Sequence, residues 1–562
     1  MKFNDIPYSR PDVDAMISRI NQYAADFAKA ENAQQQLEIF KAVEKEKSVF
    51  GTARGVVNIR NSVNMHDEFY AAEQSFFDSC GPKAMQCFNA FSKAMLESRF
   101  IDELTEELGT NYFNGLKAQQ KTFSPEIMDL MAEENALTGQ YQSLTAGAQI
   151  EFDGKILNLS QLSPYTQVAD RAVRKAATEA LGKFFDDHRE EFDTIYDKLV
   201  KNRHQQALKL GFDNFAQVMY LKKNRPYTIE DVAAFRQQVL EVMVPKNVEY
   251  KKQQAEAIGV GDDFKFYDDG FDFPDGNPMP KYPLDELVKR AQQMYSELSS
   301  ETKEMFDLMV ENELFDLDAK AGKRPGGYCA TISEYGYPFI FANSNGTAGD
   351  IDTLTHEAGH ALASYYGSRN IEYPSLRHAS AEGAETHSIG MEFLTSPWHH
   401  LFFEEDTAKY QESHTKKASY FIPYGVIVDY FQELVYTHPD WTPDERNAAW
   451  LELEHTFRPY LDFGDLPCFS RGAGWQKQLH IYTIPFYYIE YSLAHILALQ
   501  IYAMFLENPE ATWEKYMKFL KVGGKMNIVD TIRHADMLSP FEPGCVKATC
   551  EPIYKVVDSL NK

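Results

Sequence analysis

The sequence predicts a mainly α-helical protein with one small β-sheet set beside a chemically loaded helix. Three observations predict it. Apolar residues recur at three- and four-residue intervals over most of the chain, and strand-like aromatic and β-branched runs are confined to short stretches near residues 149–157 and 326–343. The second of these runs leads straight into a segment containing His356-Glu357-Ala358-Gly359-His360.

Taken in order, Pro11-Asp12-Val13-Asp14 supplies the proline and acids of a helical first turn, after which Met16, Ile20, Tyr23 and Phe27 keep the helical interval. Helical patterning continues to about Lys121, with breaks expected at Gly51, Gly55 and the Cys80-Gly81-Pro82 corner. Another helix is expected from Ser124-Pro125-Glu126 to about Ala146, and Gln149 to Leu157 reads as a hairpin about an Asp153-Gly154 turn. Further helices are expected over about 167–210, 228–258 and 284–317, with the Asp-, Gly- and Pro-rich stretch 259–283 as a surface loop. Gly326 to Ser333 and Pro338 to Asn343 read as two strands joined at Tyr335-Gly336-Tyr337, and Thr347 or Asp350 is expected to cap the next helix. The remainder is helical, interrupted near Tyr373-Pro374, Ser396-Pro397 and a loop over 462–474 whose glycines at 472 and 474 mark it as able to move on binding.

At 562 residues the chain can bury a large core or several, and its 44% hydrophobic and 25% charged content is that of a soluble globular protein. With 56 basic against 83 acidic side chains, a net charge of −27 argues against nucleic acid and anionic membrane as partners. The N-terminus lacks the basic head and apolar core of a secretory signal, and the longest apolar run, around Ile496 to Phe505, is about half of what a bilayer needs. Six cysteines without paired C-x-x-C spacing read as reduced, buried thiols of a cytoplasmic protein.

His356 and His360 stand four apart, so on a helix their imidazoles share a face and can converge on one tetrahedral Zn²⁺, with Glu357 beside them. A catalytic zinc takes three protein ligands and leaves a fourth place open, so a third ligand is needed. Ala363 and Tyr366 occupy the positions where a metzincin would need glycine and histidine, which excludes that arrangement. The segment from Ala381 to Glu392 offers Glu382, Glu385, Glu392 and His387 instead. Asp352, one turn before His356, is placed to accept that imidazole's other N–H or to stabilise the helix N-terminus. Gly359, unfavourable by about 1 kcal/mol against alanine in mid-helix, implies close approach of a neighbouring element.

The run YPFIFANSNGTAGDIDTLTHEAGHA, a glutamate 25 residues beyond His360, and PFYYIEY at Pro485 to Tyr491 together resemble the oligoendopeptidase F and thimet oligopeptidase family of zinc metallopeptidases. Within it they look most like the bacterial oligoendopeptidases of the Pz-peptidase kind. The resemblance is strong over about Gly326 to Ala498 and extends to the earlier helices only in general layout.

It implies a helical ellipsoid with a deep substrate channel, a thermolysin-like His₂Glu site holding one Zn²⁺ per chain, and Glu385 as third ligand, with Glu382 the runner-up. It further implies Glu357 as general base, Tyr488 and Tyr491 as oxyanion donors, and His480 as a substrate-contacting histidine. His378, His387, His399 and His400 are then structural or surface residues, because a fourth protein ligand would block the open position. Phe339, Ile340, Phe341 and Ala342 read either as an exposed edge strand that pairs with an extended peptide or as an ordinary buried strand. The resulting expectation is an N-terminal helical domain over 1–165 and a catalytic domain over 166–562. Its expected activity is zinc-dependent cleavage of internal bonds in short oligopeptides. A dipeptidyl carboxypeptidase and an inert peptide-binding scaffold are the alternatives.

Overall fold

The computed structural model describes residues 1–560. They gather into two compact units, each assembled from three separate stretches: Met1–Lys117, Pro278–Ala408 and Leu497–Ser539 form the first, and Ala118–Asn277, Lys409–Ile496 and the residues from Pro540 onward the second. The division expected at residue 165 falls within the second unit.

In the first unit the N-terminal helices bury their predicted stripes. The Asp12 carboxylate accepts the Ala15 amide at 2.9 Å and opens the helix Val13–Lys29. Met16, Ile20 and Phe27 enter an apolar core with Phe40 and Val43 from Ala33–Val63, and with Phe77, Phe91 and Met95 from Glu68–Leu96. The expected breaks do not occur. Ala33–Val63 runs through Gly51 and Gly55, which face Ser333 and Thr331 at ordinary contact distance. Glu68–Leu96 runs through Pro82, whose missing N–H removes a single rung of the ladder.

The small sheet has three strands, β3 (Phe315–Asp318), β4 (Tyr328–Ile332) and β5 (Tyr337–Ser344), in the order β3-β5-β4. β4 and β5 form the expected antiparallel hairpin, turning at Gly336 with φ 60°. β3 was expected to be helical. The helix ends at Glu311, Glu313 takes a left-handed backbone (φ 53°), and the chain enters a strand parallel to β5. This placement overturns the edge-strand expectation for Phe339 to Ala342: β5 is central, both of its backbone edges are paired, and these four residues are buried. The buried Lys323 ties the sheet together, its ammonium donating to the carbonyls of Asp316, Asp318 and Ala342 at 3.0, 2.8 and 2.5 Å.

β5 delivers the chain to the histidine helix, Gly349–Asn370, which packs against β4 and β5 and along the carboxylate helix, Ala381–Leu394. The last contact is very close. A Cβ at Gly359 would lie 2.5 Å from the His387 carbonyl oxygen and 2.6 Å from Ser388 Cα, so only glycine permits the crossing. The other face of the carboxylate helix is packed less closely, with a Cβ at Gly390 3.3 Å from Ile501 and 3.4 Å from Tyr516, and the Tyr516 hydroxyl donates to the His387 carbonyl at 2.8 Å.

The second unit contains the expected hairpin, β1 (Ile150–Phe152) against β2 (Lys155–Leu157), with Asp153 and Gly154 both at positive φ as a two-residue turn of the primed type requires. The run expected over 167–210 is two helices, Arg171–Asp187 and Arg189–Lys209, parted at His188. Fully buried Asp268 anchors the 259–283 stretch to the first of them, pairing with Arg171 and Arg174 at 2.8 Å each. The helix Tyr488–Glu507, which supplies residues to both units, is by length and composition long and apolar enough to cross a membrane, more than the sequence reading allowed. Yet 72% of its apolar window is buried inside the protein, so packing already satisfies its apolar surface.

Alanine at position 359 gains about 1 kcal/mol of helix propensity but overpacks a contact made of backbone that cannot swing away, which typically costs about 1–3 kcal/mol. Gly359→Ala is therefore expected to lower the midpoint of thermal unfolding by up to about 2 °C. An unchanged or raised midpoint in calorimetry would contradict the tight crossing.

Candidate active site

The turn between β5 and the histidine helix is drawn in by Asp350, whose carboxylate accepts the amides of Asn345 and Gly346 at 3.0 and 2.8 Å. Neither Thr347 nor Asp350 is the cap expected from the sequence. Ala348 holds that place without a side-chain hydrogen bond, while Thr347 Oγ1 donates to Asn345 at 2.7 Å. The helix then buries Ile351, Leu354, Ala358, Ala361 and Leu362 and leaves His356 and His360 half-buried on an adjoining face, their rings 5.0 Å apart and near perpendicular.

The carboxylate helix starts at Ser380, whose hydroxyl accepts the Gly383 amide, and brings Glu385 to these rings. Glu385 Oε2 lies 3.4 Å from His356 Nε2 and 3.8 Å from His360 Nε2, and one donor atom from each of the three residues falls within 4.8 Å of the others. Donors bonded tetrahedrally to zinc at about 2.0–2.2 Å stand roughly 3.5 Å apart, so this set of two imidazoles and a carboxylate fits that ion. Glu382, buried one turn earlier, is outside the converging group.

His356 Nδ1 donates to Glu392 Oε1 at 2.8 Å. This is the contact for which Asp352 was expected. Glu392 makes it because it sits two turns beyond Glu385 on the same helix, whereas Asp352 lies in the acidic first turn of the histidine helix. From the sequence, Glu392 is one of four candidate metal ligands between Ala381 and Glu392. Its seven-residue spacing from Glu385 was the available signal for a supporting role on the same face.

Glu357 points from the histidine helix toward β4. It is buried, it accepts a hydrogen bond from the Cys329 backbone, and its Oε2 has no hydrogen-bond partner among the described residues. Gly327 lies beside it, where a Cβ would stand at an ordinary contact distance of 3.9 Å from Glu357 Oε1. Burial pushes the Glu357 carboxyl up to about 7, against the pull of His356 and helped by Glu385 and Glu392. His387, two residues past Glu385, packs its ring against Tyr516 and Phe519. Burial lowers its pKa to about 3, which keeps it a neutral structural residue.

In the second unit the structure brings His480, Tyr488 and Tyr491 into one aromatic group. The His480 ring stands 5.0 Å from Tyr488 and 6.1 Å from Tyr491, and the two tyrosines are 5.6 Å apart. Gln478 fixes the histidine, its amide 2.9 Å from His480 Nδ1, while its carbonyl accepts the Tyr424 hydroxyl at 2.8 Å. Phe486 turns the corner before the tyrosines in a left-handed conformation (φ 60°), held by its amide donating to Gln432 at 3.0 Å.

Comparison with known proteins places this geometry in context. The description "Peptidase M3 N-terminal domain" matches residues 3–123 and "Peptidase family M3" residues 164–549. An oligoendopeptidase F homolog of Borreliella burgdorferi is 25% identical over 447 residues, covering 74% of this chain and 71% of the relative. Oligopeptidase PepF of Bacillus subtilis is 22% identical over 495 residues, covering 83% of this chain and 66% of its own length. Among solved structures, Pz peptidase A with an inhibitor aligns over 100% of this chain and 99% of its own, with 42% identity and a TM-score of 0.92. With a family match over residues 164–549, and a whole-length structural likeness, the chain belongs to peptidase family M3, as a metallopeptidase of the oligoendopeptidase type.

Proposed function

We propose that this protein is a zinc-dependent endopeptidase acting on short oligopeptides, with His356, His360 and Glu385 as metal ligands and Glu357 as general base. One observation carries the reading: three donors of the right chemistry converge beside a buried carboxylate whose second oxygen is unpartnered. Such an oxygen is unfavourable by about 1–3 kcal/mol in a structural role and is what a proton acceptor needs.

Zinc held by those ligands would lower the pKa of water and polarise a peptide carbonyl. The residues of the chain do the rest. Glu357 Oε2 takes the proton from water as its oxygen bonds to the carbonyl carbon, and passes that proton to the amide nitrogen as the C–N bond breaks. The burial of Glu357 beside the ligand set is what places its free oxygen where that proton must be taken and released. Glu392 keeps His356 in the tautomer that presents Nε2. Tyr488 and Tyr491 are assigned to donate to the developing oxyanion, and His480 to contact the substrate, on the strength of their match to the family's motif.

Digestion of internally quenched peptides, with products identified by mass, tests the reading. A single internal cut is expected, and a ladder of C-terminal dipeptides would replace the endopeptidase assignment with dipeptidyl carboxypeptidase activity. Glu357→Gln should keep its zinc and lose kcat by about 10²–10⁴-fold; equal cleavage by wild type would remove Glu357 from the mechanism. Glu385→Ala should lose zinc in metal analysis, and full retention would move the third ligand elsewhere. Glu392→Gln should weaken zinc binding by about 10–100-fold in competition with a chelator, and unchanged affinity would deny it the supporting role.

A further inference from the structure

Within the second unit, a cavity of about 410 Å³ has Leu181, Phe185, Tyr424, Arg458, Lys477 and Gln478 in its wall. Its volume is that of a site for a small ligand or a peptide terminus, and its polar wall is cationic. The two cations differ in their commitments. Arg458 is closed on Glu454 by a two-pronged pair, Nε donating at 2.7 Å, so the two charges cancel. Lys477 has no carboxylate within ion-pair distance among the described residues, and its ammonium stands over the rings of Phe266 and Phe469, 5.4 and 5.5 Å from their centroids. The recess therefore carries an ammonium that closes no direct ion pair, with the carboxylates of Glu454 and Asp269 acting on it only from farther off. Lys477 is solvent-exposed, and the surrounding protein, followed by the nearby Arg458, holds its pKa below the usual lysine value.

The recess also adjoins the aromatic group. Gln478 lines it and, from the same amide, holds His480 Nδ1 at 2.9 Å. Tyr424 lines it, donates to Gln478, and has its ring 5.8 Å from that of Tyr488. Gln478 and Tyr424 thus form the wall that the recess shares with His480 and Tyr488.

We propose that this recess is a carboxylate-binding subsite for the peptide substrate, in which the Lys477 ammonium pairs with the peptide's free C-terminus or with an acidic side chain near it. The inference rests on the reading of His480 and Tyr488 as substrate-facing. It makes Lys477 a specificity-determining residue that favours short peptides, whose terminus can reach the recess, over interior segments of long chains.

Three fluorescent heptapeptides of one sequence test it: the free acid, its C-terminal amide, and the amide with glutamate as last residue. Binding is measured to zinc-loaded Glu357→Gln protein, alone and combined with Lys477→Met or Lys477→Arg. The free acid is expected to bind about tenfold more tightly than the amide, Lys477→Met to bring that ratio to about one, and Lys477→Arg to keep most of it. Recovery of tight binding by the glutamate amide assigns the subsite to acidic side chains as well, and failure to recover confines it to the C-terminus. Equal affinity for all three peptides, no binding of any, or a Lys477→Met loss of the same size for all three overturns the proposal. Turnover by wild type is read separately. Hydrolysis without preference for a carboxylate sinks the subsite alone, whereas absence of hydrolysis sinks the peptidase reading and leaves the affinity ratio to decide the subsite.

Discussion

Everything in the first unit that concerns chemistry depends on how closely two helices approach at Gly359. Without a side chain there, the backbone of His387 and Ser388 can press against the histidine helix, and Glu385 reaches two imidazoles on the neighbouring face. Van der Waals exclusion, rather than any attraction between ligands, sets this spacing. The attractive terms follow from it: the hydrogen bond from His356 to Glu392, and the bond from Tyr516 that holds the carboxylate helix from behind.

How much of this could be read beforehand depends on the range of the interaction. The histidine spacing is a property of one helix and was legible at once, as was the inference that Gly359 implies a close neighbour. The convergence of Glu385 is a contact between two helices, and only the resemblance to a known family singled it out from Glu382 and Glu392. Glu392 itself was seen as a carboxylate near the site but not as the partner of His356, because sequence offered a nearer candidate in Asp352. Local rules likewise misjudged Gly51, Gly55 and Pro82, where tertiary packing carries helices through residues that punctuate them in isolation.

The sheet shows the same limit from the other side. Hydrophobicity identified β4 and β5, but a strand's place in a sheet is fixed by its partners, and β3 was hidden in what read as the end of a helix. Once Phe315–Asp318 pairs with β5, the apolar run Phe339 to Ala342 is interior and supports the histidine helix instead of facing a ligand. The buried ammonium of Lys323 shows how strongly that arrangement is specified: three carbonyls and a carboxylate surround a charge that would otherwise be excluded from the interior.

The burial of the carboxylate helix on both faces has a consequence for the way an ion and the fold are linked. In small metal-nucleated domains the ligands are brought together by the ion itself, so binding and folding are one equilibrium and a chelator unfolds the protein. Here Glu385 is held in register by Gly359 in front and by Tyr516 and Ile501 behind, all contacts within the polypeptide. The ordering entropy of the site is met when the polypeptide folds, so an arriving cation meets a preorganised cage. A cage built this way puts a cation's binding energy into affinity rather than into folding.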